Sequence, residues 1–376
     1  MLGRLPNLRV ISKLNNLFRN LKLPGIHTKL IMASELEPSS KKHCLNGTNV
    51  KIGTHNGTFH CDEVLACYLL KLLPRYKDAE VVRTRDMDII EKCDIVVDVG
   101  GIHDHERCRY DHHQRTFAHT MNSLRPEKTW TTKLSSAGLV YCHYGEEILA
   151  AVMGEKGRDE KTVSIIYDKV YEKFIQEIDA IDNGVNQFDG EPRYHISTNI
   201  SSRVSRLNPS WNEKGKNENK LFEDAMTMVG KEFEDCVHGY VDAWLPARDI
   251  VVKAVNQRFE VSDAGLVIVL DQFCPWKEHL LNLEDEGFVK NGEILYVLYE
   301  DNAQKWRIQC VPAGRNTFEN RLSLLADWRG LRDDELSKVS GIAGCVFVHA
   351  SGFIGGNATR DGALNMALRC AQAKTA

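Results

Sequence analysis

What this 376-residue chain lacks narrows its class before any motif is read. It has no apolar run near the ~20 residues of a membrane-spanning helix, so no membrane partner is expected. Its eleven cysteines are odd in number and scattered, and no two form a C-x-x-C pair. That argues against a disulfide framework and a structural zinc ribbon, and for a reducing compartment. Internal repeats and low-complexity segments are absent. Bulk positive charge is absent too, since 48 Lys and Arg face 52 Asp and Glu for a formal net charge of -4. The first 34 residues hold no acid but carry Arg4, Arg9, Lys13, Arg19, Lys22 and Lys29. The remaining 42 cations against 52 acids leave the rest of the chain near -10. Such a body does not grip nucleic acid by bulk charge; a phosphate-rich ligand requires a local basic patch or bound metal.

What is present is a soluble globular composition, 43% hydrophobic and 27% charged, long enough for two domains with cores. In the leader, Leu14, Leu17, Phe18 and Leu21 follow helical spacing with Arg19 and Lys22 interleaved. Residues 1–34 therefore read as a transit segment to the mitochondrial matrix, with a disordered basic tail as the plainer reading. Met32 could serve as a second start that omits the leader and gives a form for another compartment, such as the nucleus. Lys41-Lys42 is too short for a nuclear signal by itself.

Residues 35–48 read as a polar linker. The strand Val50–Gly53, the amphipathic helix Asp62–Leu73, and the strands Glu80–Val82 and Ile95–Val99 then suggest a parallel sheet covered on both faces by helices. Leu134–Val152, Val163–Ile181 and Phe222–Trp244 have helical period. The polar stretch Asn208–Asn219 reads as a loop inside this first domain, 49–250. A smaller mixed α/β domain, 251–376, is expected after it. Its strands are Val267–Leu270, Ile294–Tyr299, Trp306–Val311 and Cys345–His349, followed by a Gly-rich turn and a helix from about Ala358 to Cys370.

Four segments carry chemistry, each at an expected strand or helix end. The first is Thr54-His55-Asn56-Gly57-Thr58-Phe59-His60-Cys61-Asp62-Glu63, where an open α/β sheet places its ligands. The second is Asp98, a carboxylate at the end of an apolar strand, a costly position unless it is paired or metal-bound. The third is Arg109-Tyr110-Asp111-His112-His113-Gln114-Arg115, preceded by His103 and His105. The fourth is Asp179-Ala180-Ile181-Asp182-Asn183-Gly184. Mixed His and Asp donors without Cys suit Mn²⁺, Mg²⁺, Fe²⁺ or Zn²⁺, with Mn²⁺ favoured by the carboxylate content. Two such ions about 3.5–4 Å apart activate a water and clamp a phosphoryl oxygen. Asp98 is positioned to bridge them. Plain structural readings stay open beside these: a lone His is more often structural, His103 and His105 suit an exposed loop, either Asp179 or Asp182 can be the working acid, and Asp182-Asn183-Gly184 also reads as a helix C-cap.

Taken in order, these strings resemble the DHH phosphoesterase superfamily, which includes RecJ-type exonucleases and family II pyrophosphatases. Ile52–Gly57, Phe59-His60-x-Asp62-Glu63, Arg109–Arg115 with Phe117, and Ile178–Gly184 look like the melanocyte-proliferating-gene (Myg) family of exonucleases, from about residue 50 to the C-terminus. The resemblance implies a DHH-type catalytic domain with two divalent ions. His55, His60 and Asp98 would hold one. Asp62, Asp98, His112 and Asp182 would hold the other. His113, with Arg115, would face the substrate phosphate, and Asp111 would orient its neighbours. The superfamily has Asp near the place of His60, one residue closer to His55. Gly355 and Gly356, in Gly352–Asp361, are similar to the superfamily's glycine-rich substrate motif, with Arg360 adding a charge-assisted bond to phosphate; an ordinary tight turn is the alternative.

The implied activity is metal-dependent 3′-to-5′ exonucleolytic hydrolysis of RNA. A small-molecule phosphohydrolase acting on pyrophosphate or short nucleotides uses the same ions. A silent metal- or RNA-binding scaffold is the third reading. Arg203, Arg206, Arg315, Arg321, Arg329 and Arg332 suit a backbone channel, and Trp211, Trp276, Trp306 and Trp328 suit base stacking, but core and surface roles are commoner for both.

Overall fold

The first sheet of the computed structural model sets the site, and it starts from short β-branched runs. The structure describes residues 50–375; the transit segment, Met32, Lys41-Lys42 and nearly all of the linker lie outside them. Lys51–Thr54 forms β1, Cys61–Lys71 forms α1 and Glu80–Arg83 forms β2. A short helix, α2 (Met87–Ile90), leads to β3 (Ile95–Val97). Two-residue strands β4 (His103–Asp104) and β5 (Arg109–Tyr110) finish the sheet. Its order is β2-β1-β3-β5-β4, parallel except for β4 against β5. The parallel strands thus deliver Thr54, Arg83, Val97 and Tyr110 to one carboxyl edge, and the residues that follow each of them lie there.

Both faces are covered. Ile90 and Cys93 pack with Val96 and Val99 on one side. On the other lies α1, nine of whose eleven residues are buried. It packs against α4 (Ser136–Met153) and α8 (Glu218–His238). Between these run α3 (Met121–Leu124), α5 (Glu160–Val170), α6 (Gln176–Asp182) and α7 (Ile200–Ser205). A π turn, Tyr171–Ile175, joins α5 to α6 in one helical run over 160–182. A second, Gly239–Trp244, joins α8 to α9 (Leu245–Asn256). The helix expected to stop at Trp244 therefore continues, because the extra residue of the π turn rotates the apolar stripe without breaking the helix. Residue 250 lies inside α9.

After α10 (Arg258–Val261) comes a second five-stranded sheet, ordered β6-β7-β8-β10-β9. Its strands are β6 (Val267–Val269), β7 (Tyr296–Glu300), β8 (Trp306–Cys310), β9 (Cys345–Val348) and β10 (Ile354–Asn357). Only β6 and β7 run parallel. The hairpin expected at Asp301–Gln304 joins β7 to β8. Helices α11 (Trp276–Asp285), α12 (Asp333–Ser340) and α13 (Arg360–Thr375) pack around this sheet. Trp276 and Trp328 are core residues, whereas Trp211 stands 97% exposed. Residues 47–376 group as one compact unit containing both sheets.

Two expectations for this half differ from what forms. Gly355 and Gly356 are buried inside β10 and not in a turn; the turn lies earlier, at Gly352, whose φ is +72°. A β-carbon at Gly355 would meet Leu324 at 2.9 Å, and one at Gly356 would meet Arg307 at 2.7 Å. These glycines serve close approach across the strand. Arg321, a channel candidate, is instead locked in a buried bidentate pair with Glu284, both contacts 2.6 Å. Arg203 pairs with Glu232 and Arg315 with Asp285.

Candidate metal centre

The carboxyl edge of the first sheet gathers the four motif segments. Asp98 follows β3 with φ +58°, in the left-handed region, and Gly100 and Gly101 follow at +98° and +67°. Asp is among the few side-chain-bearing residues that tolerate this region, at a cost of roughly 1–2 kcal/mol. The turn brings its carboxylate under two imidazoles. His55 Nε2 lies 3.3 Å from Asp98 Oδ2 and 3.1 Å from Glu63 Oε1. His112 Nε2 lies 3.3 Å from Asp98 Oδ1, 3.1 Å from Asp182 Oδ2 and 3.7 Å from Asp62 Oδ2.

Three overlapping groups of donor atoms, each spanning under 4.8 Å, could each hold a cation. They are His55, His60, Glu63 and Asp98; His60, Asp62 and Asp182; and Asp98, His112 and His113. Asp98 is shared by two of them, as is His60. Every residue expected to ligate is in this cluster. Glu63 is the addition. Its Oε1 accepts from the His60 backbone N–H at 2.8 Å, which is also how a glutamate at this position caps a helix start. Nothing in the sequence separated the two roles.

The donor set fits divalent cations on a further ground. Asp62 Oδ1 and Glu63 Oε2 are buried and have no hydrogen-bond partner, and His112 Nε2 meets only carboxylate oxygens. Buried polar atoms left unpaired are costly, and a metal ion satisfies such lone pairs. The tautomer of His112 follows from its neighbours. Asn183 Nδ2 donates to the carbonyls of Lys133 (3.0 Å) and Asp179 (2.9 Å). Its Oδ1 therefore faces His112 Nδ1, at 3.3 Å, as an acceptor. Nδ1 therefore carries a proton in either protonation state of the ring, and Nε2 is the atom free to give a lone pair to a cation.

Charge in the cluster is self-consistent. Burial alone would lower the pKa of His55 and His112, but Asp98 and Glu63 for the first, and Asp182 and Asp98 for the second, lift each to about 10. Asp98 shows the reverse: burial would raise it, yet bonds from His112 and His55 hold it below the usual carboxylate range. Burial, then the Asp98 and Asp182 charges, push Asp62 well above that range. The cavity is one that demands positive charge.

Supporting residues complete it. Asp111 Oδ2 accepts from Gly101 N–H at 2.6 Å and Oδ1 from His113 Nδ1 at 2.8 Å. His113 is thereby turned outward, 62% exposed, and its pKa is raised chiefly by Asp111. At the start of α4, Ser136 donates through Oγ to Asp98 (3.1 Å) and through N–H to Asp62 (3.3 Å). The positive end of an 18-residue helix thus meets these carboxylates.

The choice between the two acids of the fourth motif is also visible. Asp182 is in the cluster. Asp179 is fully buried behind it, where Ser135 N–H (2.9 Å), Ser135 Oγ (2.7 Å) and Tyr171 Oη (3.1 Å) donate to it. Burial still pushes its carboxyl up to about 7. Outside the cluster, Arg115 is exposed on the turn after the histidine pair. Gly355 and Gly356 sit in the second sheet. Arg360, at the start of α13, lines a cleft of about 410 Å³ with Trp306, Glu260, Asp271 and Glu300.

Comparison with known proteins gives the family. The MYG1_exonuc family, described as "Uncharacterised protein family (UPF0160)", matches residues 51–370. The chain is 52% identical over 349 residues to MYG1 exonuclease of Bos taurus, covering 92% of this chain and 91% of the relative. It is 55% identical over 319 residues to MYG1 exonuclease of Homo sapiens, 84% of each chain. It is 46% identical over 326 residues to the MYG1 protein of Dictyostelium discoideum, 86% of this chain and 96% of the relative. The family's span includes every residue of the metal cluster, and the chain belongs to the MYG1 family.

Proposed function

We propose that this chain is a metal-dependent phosphodiesterase that removes nucleotides from RNA in the 3′-to-5′ direction. The observation that carries the reading is the convergence of four distant segments on one buried cage with unpaired Asp62 and Glu63 oxygens. The relatives named as exonucleases support the nuclease class; RNA and direction rest on the resemblance of the motifs.

Bound in the cage, a pair of divalent ions, Mn²⁺ or Mg²⁺, would supply Lewis acidity and lower the pKa of a water. The chain's residues do the rest. Asp98 is shared between the donor groups and so fixes their spacing. Asn183 keeps the His112 lone pair aimed inward. Asp111 accepts from His113 Nδ1 and favours the doubly protonated ring, whose Nε2–H at the mouth would then donate to a phosphoryl oxygen. The basic amphipathic leader supports action in the mitochondrial matrix, and a form starting at Met32 would act elsewhere, including the nucleus.

End-labelled single-stranded RNA, digested with Mn²⁺, Mg²⁺ or chelator and read on a sequencing gel, tests the reading. Metal-dependent laddering from the 3′ end is expected for the wild type, and none for Asp98→Ala that retains its far-UV spectrum. Full activity of Asp98→Ala would remove the assignment. Turnover confined to pyrophosphate or dinucleotides would replace it with a small-molecule phosphohydrolase.

A further inference from the structure

Two arginines follow one another at the carboxyl edge of β2, and the fold treats them differently. Arg83 is built into the structure. It donates to the carbonyls of Gly57 (2.6 Å) and Glu218 (3.3 Å), and its guanidinium lies 4.6 Å from the Phe222 ring centre. These contacts clamp the 55–60 loop against α8. Arg85 is exposed. Among the described residues its one hydrogen-bond partner is a nitrogen of the cage, His55 Nδ1, 3.2 Å from Nη2. Among the described residues no carboxylate pairs with it. The nearest acid in sequence, Asp86, is used elsewhere, as the cap of α2 through the Asp88 N–H at 2.9 Å.

The topology explains the position. β2 pairs with β1 in parallel, Thr54 beside Arg83, so the residues after Arg83 run along the residues after Thr54. Thr84 N–H donates to Thr54 O at 2.8 Å and holds that alignment. Arg85 is therefore carried to the flank of the cage at His55, whereas His113 stands at its outer side, turned to solvent.

The contact with His55 is not one that a metal-holding site retains. A histidine that gives its Nε2 lone pair to a metal carries its proton on Nδ1. Asn56 O lies 3.1 Å from Nδ1 and accepts that proton. A guanidinium has only donors, so Arg85 then has no acceptor on the ring. It is left without an oxygen acceptor among the described residues. A tetrahedral oxyanion at the mouth supplies one in the planar, two-pronged geometry a guanidinium matches.

We propose that Arg85 is a substrate-binding residue that holds a non-bridging phosphate oxygen of the ligand, on the His55 side of the cage. This rests on the phosphodiesterase reading for the identity of the ligand, and on geometry alone for the anion.

The test uses the full chain loaded with Mn²⁺. Inorganic phosphate binding by calorimetry and steady-state cleavage of single-stranded RNA are measured for the wild type, Arg85→Ala and Arg85→Lys. Loss of one charge-assisted bond should weaken phosphate binding and raise KM roughly 10- to 100-fold in Arg85→Ala, with kcat changed far less. Arg85→Lys, which keeps the charge but loses the fork, should recover part of the affinity. Mn²⁺ affinity should be unchanged in both, since Arg85 ligates nothing. Unaltered phosphate affinity and KM in Arg85→Ala would overturn the proposal while leaving the nuclease reading in place. Weakened Mn²⁺ binding would overturn it too, by showing that Arg85 supports His55. Arg85-dependent phosphate binding by a chain that cleaves no RNA would sustain the anion site and remove the nuclease.

Discussion

Replacing Gly138 with Ala should do more damage than any other single-methyl change near the site. Gly138 lies in the first turn of α4, and a β-carbon there would sit 2.2 Å from Asp179 Oδ1 and 2.4 Å from Oδ2. Ordinary contact needs about 3.5 Å. Asp179 cannot retreat without giving up its bonds from Ser135 and Tyr171, at 2.7–3.1 Å. Bonds to a charged acceptor contribute about 1.5–3 kcal/mol each, so losing two costs about 3–6 kcal/mol. Alanine's helix preference over glycine returns about 1 kcal/mol. The expected net loss is therefore about 2–5 kcal/mol, read by urea unfolding monitored by tryptophan fluorescence. The damage should also reach the cage. Ser136, two residues before Gly138, bonds Asp98 and Asp62, so Mn²⁺ affinity should fall in the same variant. Gly239→Ala is the control. Its β-carbon would meet nothing within 4 Å, and stability should hold or rise by up to about 1 kcal/mol. A Gly138→Ala protein with the wild-type unfolding midpoint would refute the packing argument.

Asn183→Leu keeps the volume but removes the acceptor that sets the His112 tautomer; Mn²⁺ affinity by calorimetry should drop roughly 10- to 100-fold, and an unchanged value would show that Asn183 does not orient the ring. Arg321→Ala leaves Glu284 buried without its partner, so unfolding free energy should fall by about 3–5 kcal/mol while RNA turnover per folded molecule stays near wild type; a loss below about 1 kcal/mol would contradict the burial. His143 supplies the pH dependence. Burial beside His105 and His103 pushes its pKa from 6.5 down to about 3. The unfolded chain takes up a proton on this ring between those values and the folded chain does not, so stability falls as pH drops through the window. The loss of unfolding free energy from pH 7 to pH 5 should be smaller in His143→Gln than in the wild type, and equal losses would place the titration elsewhere.

The parts of the fold that were legible in the sequence are those with a long period or a long string. The helices α4, α5 and α8 announce themselves by apolar spacing, and the strands flanking the four motifs by β-branched runs ended with His or Asp. The two-residue strands β4 and β5 carry too little pattern to show. Their existence depends on Val96 and Asp98 donating to Cys108 and Tyr110, a tertiary pairing. Gly355-Gly356 reads locally as a turn because glycine breaks strands; it sits in β10 because Leu324 and Arg307 crowd that face. Of the cage, the His and Asp donors that gather there could be read from the four segments, and their division between two ions came only from the resemblance. The supporting atoms could not be read. Asn183 looks like a helix cap, Glu63 like a capping partner and Ser136 like an ordinary helix start. Each has a second task that exists only once another segment has arrived.

That division has a physical cause. Gathering Asp62, Glu63, Asp98 and Asp182 in one pocket is unfavourable by itself, since like charges repel and burial penalises each. The acids create the problem, and their neighbours limit it locally. The imidazoles of His55 and His112 take up protons, the start of α4 presents N–H and Oγ donors, and Asp98 accepts a left-handed backbone to reach both imidazoles. None of these removes the repulsion; cations bound in the cage would, by displacing the protons. If the cage binds metal, its affinity should therefore tighten as pH rises, with protons released.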